Sequence, residues 1–253
     1  MDVREEAVQK KLELGGFLTT GTKYPLKNAH DLSVAYTPGV AEPCLRIKEK
    51  EELSFDLTCR GNMVAVISDG TRVLGLGDIG AAAAMPVMEG KSLLFKRFGN
   101  VDCVPVVIDT KDAEEFIHTV KLLQKNYAGI NLEDISSPKC YEIENRLKEE
   151  LEIPVFHDDQ HGTAIACLSA VLGALRFVKK DIATAKFVVN GCGAAGSAIS
   201  RLLVNMGAQN VIMVDRFGAL YEGMGQKAWL SEQSESPLLT LSLVTFATDG
   251  ADE

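Results

Sequence analysis

Residues 103–134, CVPVVIDTKDAEEFIHTVKLLQKNYAGINLED, predict the fold class of this chain. The stretch begins and ends with apolar runs that are typical of buried strands, at 103–109 and 129–134. Residues 112–127 lie between them and repeat apolar side chains at the spacing of one helix face, at Phe116, Val120 and Leu123. A strand, a helix and a strand in this order predict a βαβ unit.

The same alternation continues on both sides of this stretch. It predicts strands at 63–68 and 72–77, a helix at 81–98, a helix at 136–151 and a strand at 153–158. Strands that alternate with helices predict the α/β class, with a largely parallel sheet and helices over both faces. Because ligands of such sheets gather at the carboxyl ends of the strands, we expect the functional residues there.

The composition is typical of a globular protein with one large domain or two ordinary ones. The chain has 253 residues, 46% of them hydrophobic, and a formal net charge of −9. A general nucleic-acid-binding protein needs a concentrated basic surface to neutralise phosphates, and this sequence offers none. We therefore expect no nucleic-acid partner.

Several features of the sequence favour a cytoplasmic protein. The first residues, MDVREEAVQKKLELGG, lack the apolar core of a signal peptide. The six cysteines form no C-x-x-C pair, which is typical of reduced thiols. The long apolar segment at 162–178 contains Thr163, Ser169 and Arg176 and falls short of a comfortable membrane span. We interpret it as a buried helix and expect no membrane partner.

A glycine fingerprint follows in KFVVNGCGAAGSAISRLLVNMGAQNVIMVD, residues 186–215. The glycines of its G-x-G-x-x-G pattern, Gly191, Gly193 and Gly196, lie between a predicted strand and a predicted helix, and a second strand ends in Asp215. Such a turn lets backbone N–H groups approach a pyrophosphate, and the acid binds the adenine ribose of NAD. Arg216 would favour NADP instead, and a turn that binds no ligand is the other alternative.

Carboxylates also cluster at two predicted strand ends. Glu133 and Asp134 follow one strand, and Asp158 and Asp159 follow the next strand along the chain. Carboxylate oxygens are the ligands that Mg²⁺ and Mn²⁺ prefer, so a divalent cation is one interpretation. Solvated loop ends or helix caps are the alternative. The flanking histidines could ligate a cation or cap the following helix, and they are His157 and His161.

Three further side chains have chemistry that suits catalysis. Tyr36 and Lys91 could donate and accept protons, and Arg72 could bind a carboxylate through two hydrogen bonds. Each also has a structural interpretation, as a turn tyrosine, a surface arginine or a helix lysine.

Five motifs in one order make the sequence resemble the short bacterial-type malic enzymes, namely AYTPGVAEP, SDGTRVLGLGDIG, MPVMEGKSLLFKRFG, INLEDI and FHDDQHGTA. The resemblance runs from about residue 10 to about residue 218 and includes the glycine fingerprint. It implies oxidation of L-malate with NAD(P), decarboxylation to pyruvate, a requirement for Mg²⁺ or Mn²⁺, and a homodimer.

The resemblance also implies a role for individual residues. Lys91 matches the general base, Tyr36 the general acid and Arg72 the arginine that contacts malate and cofactor. The matching cation ligands are Glu133, Asp134 and Asp159. The matching cofactor residues are Gly191, Gly193, Ala194, Ala195, Gly196 and Asp215, with Asp158 behind the cation ligands or at the dinucleotide interface.

The family pattern predicts an amino-terminal catalytic domain at 1–160 and a Rossmann domain at 161–253. After DRFGALYEGMG the pattern fades, and the residues from Lys186 onward are about half of what a full doubly wound domain needs. We therefore expect this domain to be incomplete. Two alternatives stay open: an amino-acid dehydrogenase, whose chemistry needs no divalent cation, and a truncated non-catalytic protein that only dimerises or binds.

Overall fold

The computed structural model describes residues 2–215 and 218–220, which divide into two compact units, the first ending at Phe156 and the second beginning at His157. The helices of the first unit are α1 (Val3–Leu14), α2 (Ala29–Ala35), α3 (Ala41–Glu49), α4 (Ser54–Leu57), α5 (Ala81–Gly99), α6 (Ala113–Leu123) and α7 (Lys139–Glu150). Its strands are β1 (Met63–Ser68), β2 (Asp102–Val107), β3 (Gly129–Leu132) and β4 (Val155–His157), whose last residue opens the second unit.

The four strands form one sheet in the order β2-β1-β3-β4. β1 pairs in parallel with both β2 and β3, so that Ile67 lies opposite Val106 on one side and Leu132 on the other. This arrangement confirms the predicted α/β class. Because the parallel strands end at one edge, the loops that follow β1 and β3 lie side by side.

Apolar side chains from the sheet and its helices form the core of the first unit. The largest of them are fully or almost fully buried, and they include Val66, Ile67, Met88, Phe116, Val120, Leu132, Ile143 and Leu147. Phe116 and Val120 are the residues that the helical spacing placed on one face of α6. Removing a buried side chain of this size from water contributes about 1.5–3 kcal/mol, so this cluster is the main source of stability.

The predicted strand at 72–77 is wrong. This segment is a turn in which a single bridge joins Val73 to Gly77. Leu74 and Gly77 have φ angles of 49° and 80°, in the left-handed region that a pleated strand does not use. The apolar residues at 72–77 therefore belong to a compact loop after β1.

The helices that precede the sheet contain no buried residue in α1, α2 or α3. Large apolar side chains are instead exposed along this part of the chain, at Val3, Leu12, Leu14, Leu26, Leu32, Val34 and Leu45. α1 is joined to α5 by Glu89, which pairs with Lys11 and accepts the Phe17 N–H at 2.9 Å. The amino-terminal part of the first unit thus presents an apolar surface.

The second unit contains α8 (Thr163–Val178), β5 (Lys186–Asn190), α9 (Ala194–Asn205), β6 (Asn210–Asp215) and β7 (Gly218–Ala219). β5 and β6 are parallel, and the short β7 pairs antiparallel with β6. A strand, a helix and a parallel strand in this order form the first βαβ unit of a dinucleotide-binding fold.

The prediction that residues 162–178 form a buried helix is wrong in one respect. α8 is a helix, but Ala164 is its one buried residue, and Phe177 is 88% exposed. By length and composition alone, the stretch Asp158–Val178 is apolar enough to cross a membrane, a test that core helices also pass. An apolar sequence indicates a surface that is suited to burial, but it does not identify what covers that surface.

Candidate active site

The adjacent carboxylates Glu133 and Asp134 lie just after β3 and are both buried. The Glu133 N–H donates to the carbonyl of Ile67 at 3.0 Å, which holds residue 133 against the neighbouring strand. Asn131 donates from Nδ2 to Oε2 of Glu133 at 2.9 Å. Since a buried carboxylate is costly unless donors or positive charge meet it, these contacts fix where the Glu133 side chain lies.

Lys91 supplies positive charge to this carboxylate. It lies on α5, which packs against β1 and β2, and its Nζ is 3.0 Å from Oε1 of Glu133. The Lys91 side chain is 23% exposed, so its amine reaches the border between interior and solvent. The structure therefore brings together the predicted general base and one predicted cation ligand.

Asp134 joins its own loop to the loop that carries Arg72. The Arg72 N–H donates to the carbonyl of Asp134 at 3.0 Å, and the Arg72 side chain is exposed. Asp134 has a φ of 56°, a left-handed conformation that costs about 1–3 kcal/mol outside glycine and is common at functional sites. A backbone hydrogen bond thus joins Arg72, the predicted substrate-binding arginine, to Asp134, a predicted cation ligand.

A second set of buried polar contacts ties the same two loops together. Asp69 accepts from both the N–H and the hydroxyl of Thr71, at 3.0 and 2.6 Å, and pairs with Lys139. Thr71 Oγ1 in turn accepts the Ser136 N–H at 2.9 Å. We call the two loops, residues 69–72 and 133–136, the carboxyl-edge rim. These contacts were not predicted from the sequence, although an aspartate two residues before a threonine is a typical turn signal.

The structure places Tyr36, the predicted general acid, far more openly than Lys91. Tyr36 follows the last residue of α2 and is 67% exposed. Its N–H donates to the Leu32 carbonyl and its carbonyl accepts the Val40 N–H, so the backbone around it is held while the phenol faces solvent. The role of Tyr36 stays a prediction.

In the second unit, Asp158 and Asp159 begin a single π-helical turn, Asp158–Gly162, that leads into α8. Such turns are rare and are frequent at functional sites. Gly162 leaves room for the Asp158 side chain, because an added Cβ would lie 1.9 Å from its Oδ1 and the carboxylate would have to move. His157 precedes this turn and makes no capping hydrogen bond to it, whereas the predicted capping role of His161 stays a prediction.

His157, which ends β4, and His161, which lies on the turn, differ in their environments. His157 is fully buried, with Nδ1 at 2.8 Å from Nε2 of Gln160 and Nε2 at 3.2 Å from Oδ2 of Asp159. His161 is only half-buried. Gln160 was not predicted from the sequence, because an amide beside a histidine has no distinctive sequence pattern.

The glycine fingerprint forms a turn between β5 and α9. Gly191 has a φ of 111°, which favours glycine, and its N–H donates to the Val214 carbonyl at 2.7 Å. A Cβ on Gly196 would lie 1.8 Å from the Gly191 carbonyl oxygen, whereas one on Gly193 would meet no atom of the described residues within 4 Å. One glycine therefore allows the turn to close on the helix, and another leaves open space beside it. We call residues 190–196 the glycine turn.

This geometry suits a dinucleotide. Ala194 and Ala195 are the first residues of α9, so the helix begins with small side chains at the open face of the glycine turn, where N–H groups can meet a pyrophosphate. Asp215 ends β6, the strand next to β5, as the fingerprint requires. Arg216, the residue that would favour NADP, lies outside the described residues.

Comparison with known proteins identifies the family. The model of the malic enzyme N-terminal domain family matches residues 18–148, which include Tyr36, Arg72, Lys91, Glu133 and Asp134. The chain belongs to the malic enzyme family. A second family model, of glutamate, leucine, phenylalanine and valine dehydrogenases, matches residues 156–235, where the glycine turn lies.

Individual malic enzymes are similar over most of this chain. The NAD-dependent malic enzyme of Geobacillus stearothermophilus is 55% identical over 83% of the chain and 44% of its own length. The bifunctional malic/malolactic enzyme of Bacillus subtilis is 51% identical over 88% of the chain and 54% of its own length. The NAD-dependent malic enzyme of Thermotoga maritima is 46% identical, with a TM-score of 0.83 over 86% of this chain and 58% of that one. This malic enzyme chain thus spans about half the length of the curated relatives it matches.

Proposed function

We propose that this chain catalyses the oxidative decarboxylation of L-malate to pyruvate and CO₂ with reduction of NAD(P). The observation that carries the proposal is the 3.0 Å contact between Lys91 and Glu133 at the carboxyl end of a parallel sheet. It pairs an amine that can move a proton with a carboxylate suited to a cation, in a chain of the malic enzyme family. Because the chain spans only part of its relatives, its own turnover has to be measured.

The donor chemistry fits a divalent cation. Glu133 and Asp134 are buried carboxylates, and Asp159 has a partly exposed one on the π-helical turn. We propose these three residues as ligands of Mg²⁺ or Mn²⁺, because both ions prefer carboxylate oxygens. The bound cation would polarise the C2 oxygen of malate and make loss of the C4 carboxyl group easier.

Each protein residue then has a defined task. A divalent cation on Glu133 would replace Lys91 as the positive partner of that carboxylate, and the Lys91 amine, once deprotonated, would take the C2 hydroxyl proton. The bound dinucleotide would supply the hydride acceptor. Arg72 binds a malate carboxylate through two N–H groups, which fixes the orientation of the substrate. After CO₂ departs, Tyr36 gives its phenolic proton to C3, which yields pyruvate.

We further propose that the glycine turn binds the dinucleotide. The residues that would hold it are Gly191, Gly193, Ala194, Ala195, Gly196 and Asp215, with Asp158 at the dinucleotide interface. The open space beside Gly193 supports close approach of a pyrophosphate. Asp215 supports NAD as the cofactor, because a carboxylate binds ribose hydroxyls and repels the 2′-phosphate of NADP, which stays the alternative.

The partners and location are also proposals. We propose a cytoplasmic homodimer that binds neither nucleic acid nor membrane. Exposed apolar side chains on α1 and α2, among them Leu12 and Leu32, support a protein partner on the amino-terminal part of the first unit. Sedimentation equilibrium should give twice the monomer mass of 27.3 kDa.

The decisive experiment measures NADH and pyruvate together in the presence of L-malate and Mn²⁺. We expect equal amounts of both products, and no product without the cation. Lys91→Ala should lower kcat by about 10²–10⁴-fold, the usual contribution of a general base. Asp159→Asn should weaken Mn²⁺ activation, since it removes one anionic ligand.

Lys96→Ala is the matched control, because Lys96 lies on the same helix and pairs with Asp102 at the opposite edge of the sheet. Its activity should equal that of the wild type. Activity that survives both Lys91→Ala and Asp159→Asn would contradict the assignment. Oxidation of malate without a cation would favour a dehydrogenase of the amino-acid type, and folded protein without turnover would favour a binding role.

A further inference from the structure

Two buried polar side chains in the second unit have no task in the proposed reaction. His157 is 0% exposed and Gln160 is 1% exposed, and they lie on either side of Asp159 in the sequence, His157 at the end of β4 and Gln160 on the π-helical turn. Buried polar groups are retained where their hydrogen bonds are satisfied, and such pairs restrict the side chains around them. Their contacts therefore indicate what they hold in place.

The contacts form a continuous chain from helix α9 to Asp159. Arg201, on α9, donates from Nη2 to Oε1 of Gln160 at 3.3 Å. Nε2 of Gln160 lies 2.8 Å from Nδ1 of His157. Nε2 of His157 lies 3.2 Å from Oδ2 of Asp159 and makes no well-aligned hydrogen bond to any residue that the structure describes.

Arg201, the first donor in this series of contacts, determines which group donates in each contact that follows. A guanidinium can only donate, so the Gln160 oxygen must face Arg201 and the Gln160 NH₂ group must face His157. His157 Nδ1 then has to accept, which places the proton of a neutral imidazole on Nε2. The Nε2–H dipole faces the Asp159 carboxylate and attracts it.

We propose that Arg201, Gln160 and His157 are positioning residues that orient the Asp159 carboxylate for a divalent cation. The proposal rests on the proposed function, in which Asp159 is a cation ligand. Residues behind the ligands of a metal site commonly set its affinity, and their loss weakens metal binding about 10–100-fold. Here the chain ends on a helix that begins at the glycine turn, so cation affinity depends on the helix that would hold the dinucleotide.

This connection has a thermodynamic consequence. If binding of NAD⁺ to the glycine turn shifts α9, the Arg201 contact carries the shift to Asp159 and changes the affinity for the cation. Linkage requires that the cation changes the affinity for NAD⁺ by the same factor. The contacts from Arg201 to Asp159 would then couple two ligands that do not have to touch.

The first test measures Mn²⁺ binding without turnover, by electron paramagnetic resonance of the free ion. Gln160→Leu and Arg201→Met should each raise the Kd by about tenfold or more. Gln160 is fully buried, so Gln160→Leu could fail to fold. Arg201→Met replaces a half-buried side chain at the other end of the contacts and should leave the core folded in that case. Arg176→Ala is the control, because Arg176 is an exposed arginine on α8, and its Kd should equal that of the wild type.

The second test observes the histidine ring directly. Nitrogen-15 NMR of the wild type, with the His157 signals assigned through His157→Asn, should show a proton on Nε2 and a bare Nδ1. In Arg201→Met the Gln160 side-chain amide can rotate by half a turn and present its oxygen to His157. The His157 tautomer with its proton on Nδ1 should then gain population. If the His157 ring of the wild type carries its proton on Nδ1, the proposal is overturned, whether or not the protein oxidises malate.

The outcomes separate this inference from the proposed function. Wild-type protein that binds no Mn²⁺ would overturn the proposed function and, with it, this role of Asp159. Wild-type protein that binds Mn²⁺ with a Kd that both variants leave unchanged would overturn the positioning role alone. Weaker Mn²⁺ binding in both variants, with an unchanged Arg176→Ala, would support the role.

Discussion

The carboxyl-edge rim of the first unit and the glycine turn of the second are built in opposite ways. The rim is crossed by buried polar contacts, in which Asp69, Thr71 and Ser136 tie two loops together. The glycine turn depends instead on missing side chains, because a Cβ on Gly196 would collide with the backbone and one on Gly193 would occupy open space. The carboxyl-edge rim is thus formed by hydrogen bonds that hold functional groups in place, and the glycine turn by the absence of side chains where a ligand would bind.

The largest effect should come from filling the glycine turn. In Gly196→Ala the new methyl group would lie 1.8 Å from the Gly191 carbonyl oxygen, so the backbone has to move. We expect unfolding of the second unit to become easier by about 1–3 kcal/mol, the usual cost of overpacking, and NAD⁺ affinity to be lost. Thermal unfolding and calorimetric titration with NAD⁺ measure the two effects.

Gly193→Ala is the matched comparison, because its Cβ meets no described atom within 4 Å and its φ of −77° suits alanine. Its stability should stay within about 0.5 kcal/mol of the wild type. Its affinity for NAD⁺ should still fall, since the methyl group takes the space that the pyrophosphate needs. Equal stability losses in the two variants would contradict the distinction between closing the turn and leaving room beside it.

A smaller effect should follow when one bond of the carboxyl-edge rim is removed. Thr71→Val keeps the shape of the side chain but leaves the Ser136 N–H without its acceptor and Asp69 without one donor. We expect a loss of about 1–3 kcal/mol in the free energy of unfolding. We also expect a higher KM for malate, because the loop that carries Arg72 is less well held, while kcat changes less.

Thr71→Ser separates these explanations because it keeps the hydroxyl and removes only a methyl group. It should restore most of the stability and the wild-type KM. If the serine variant behaves like the valine variant, packing of the methyl group matters more than the two hydrogen bonds, and the rim is not held in the way described.

The sequence predicted the backbone of both regions far better than their contacts. The spacing of Phe116 and Val120 predicted α6, and the apolar run before Glu133 predicted β3, because burial alone dictates these patterns. The order of strand, glycines, helix and strand around Gly191 predicted the second βαβ unit for the same reason. Local periodicity carries this information, so one sequence was enough.

The contacts that close the candidate site depend on residues that are distant in sequence. The ion pair of Lys139 with Asp69 joins the start of α7 to the loop after β1, and the bond of Arg201 to Gln160 joins two helical segments, so no local pattern contains either. The mistaken strand at 72–77 has a related cause. Its apolar side chains suggest a strand, but the left-handed backbone at Leu74 is set by the loop around it.

The polar contacts of the rim are buried, and an exposed ion pair at the amino end of the same sheet tests whether burial is what makes such contacts stabilising. Asp102 begins β2 and pairs with Lys96, whose side chain is 51% exposed. The hydrogen bond from Lys96, and a second one from Asn62, hold the pKa of Asp102 below its usual value, against the opposing effect of desolvation. A lowered folded-state pKa stabilises the fold above the unfolded pKa, and this contribution is lost as the pH falls through the folded pKa.

Asp102→Asn should therefore lower the free energy of unfolding by only about 0.2–1 kcal/mol at pH 7, because the ion pair is largely exposed. The difference from the wild type should vanish in acid and shrink in high salt, as urea unfolding at several pH values would measure. A loss at pH 7 as large as that of Thr71→Val would mean that pairing itself, exposed or buried, stiffens this sheet.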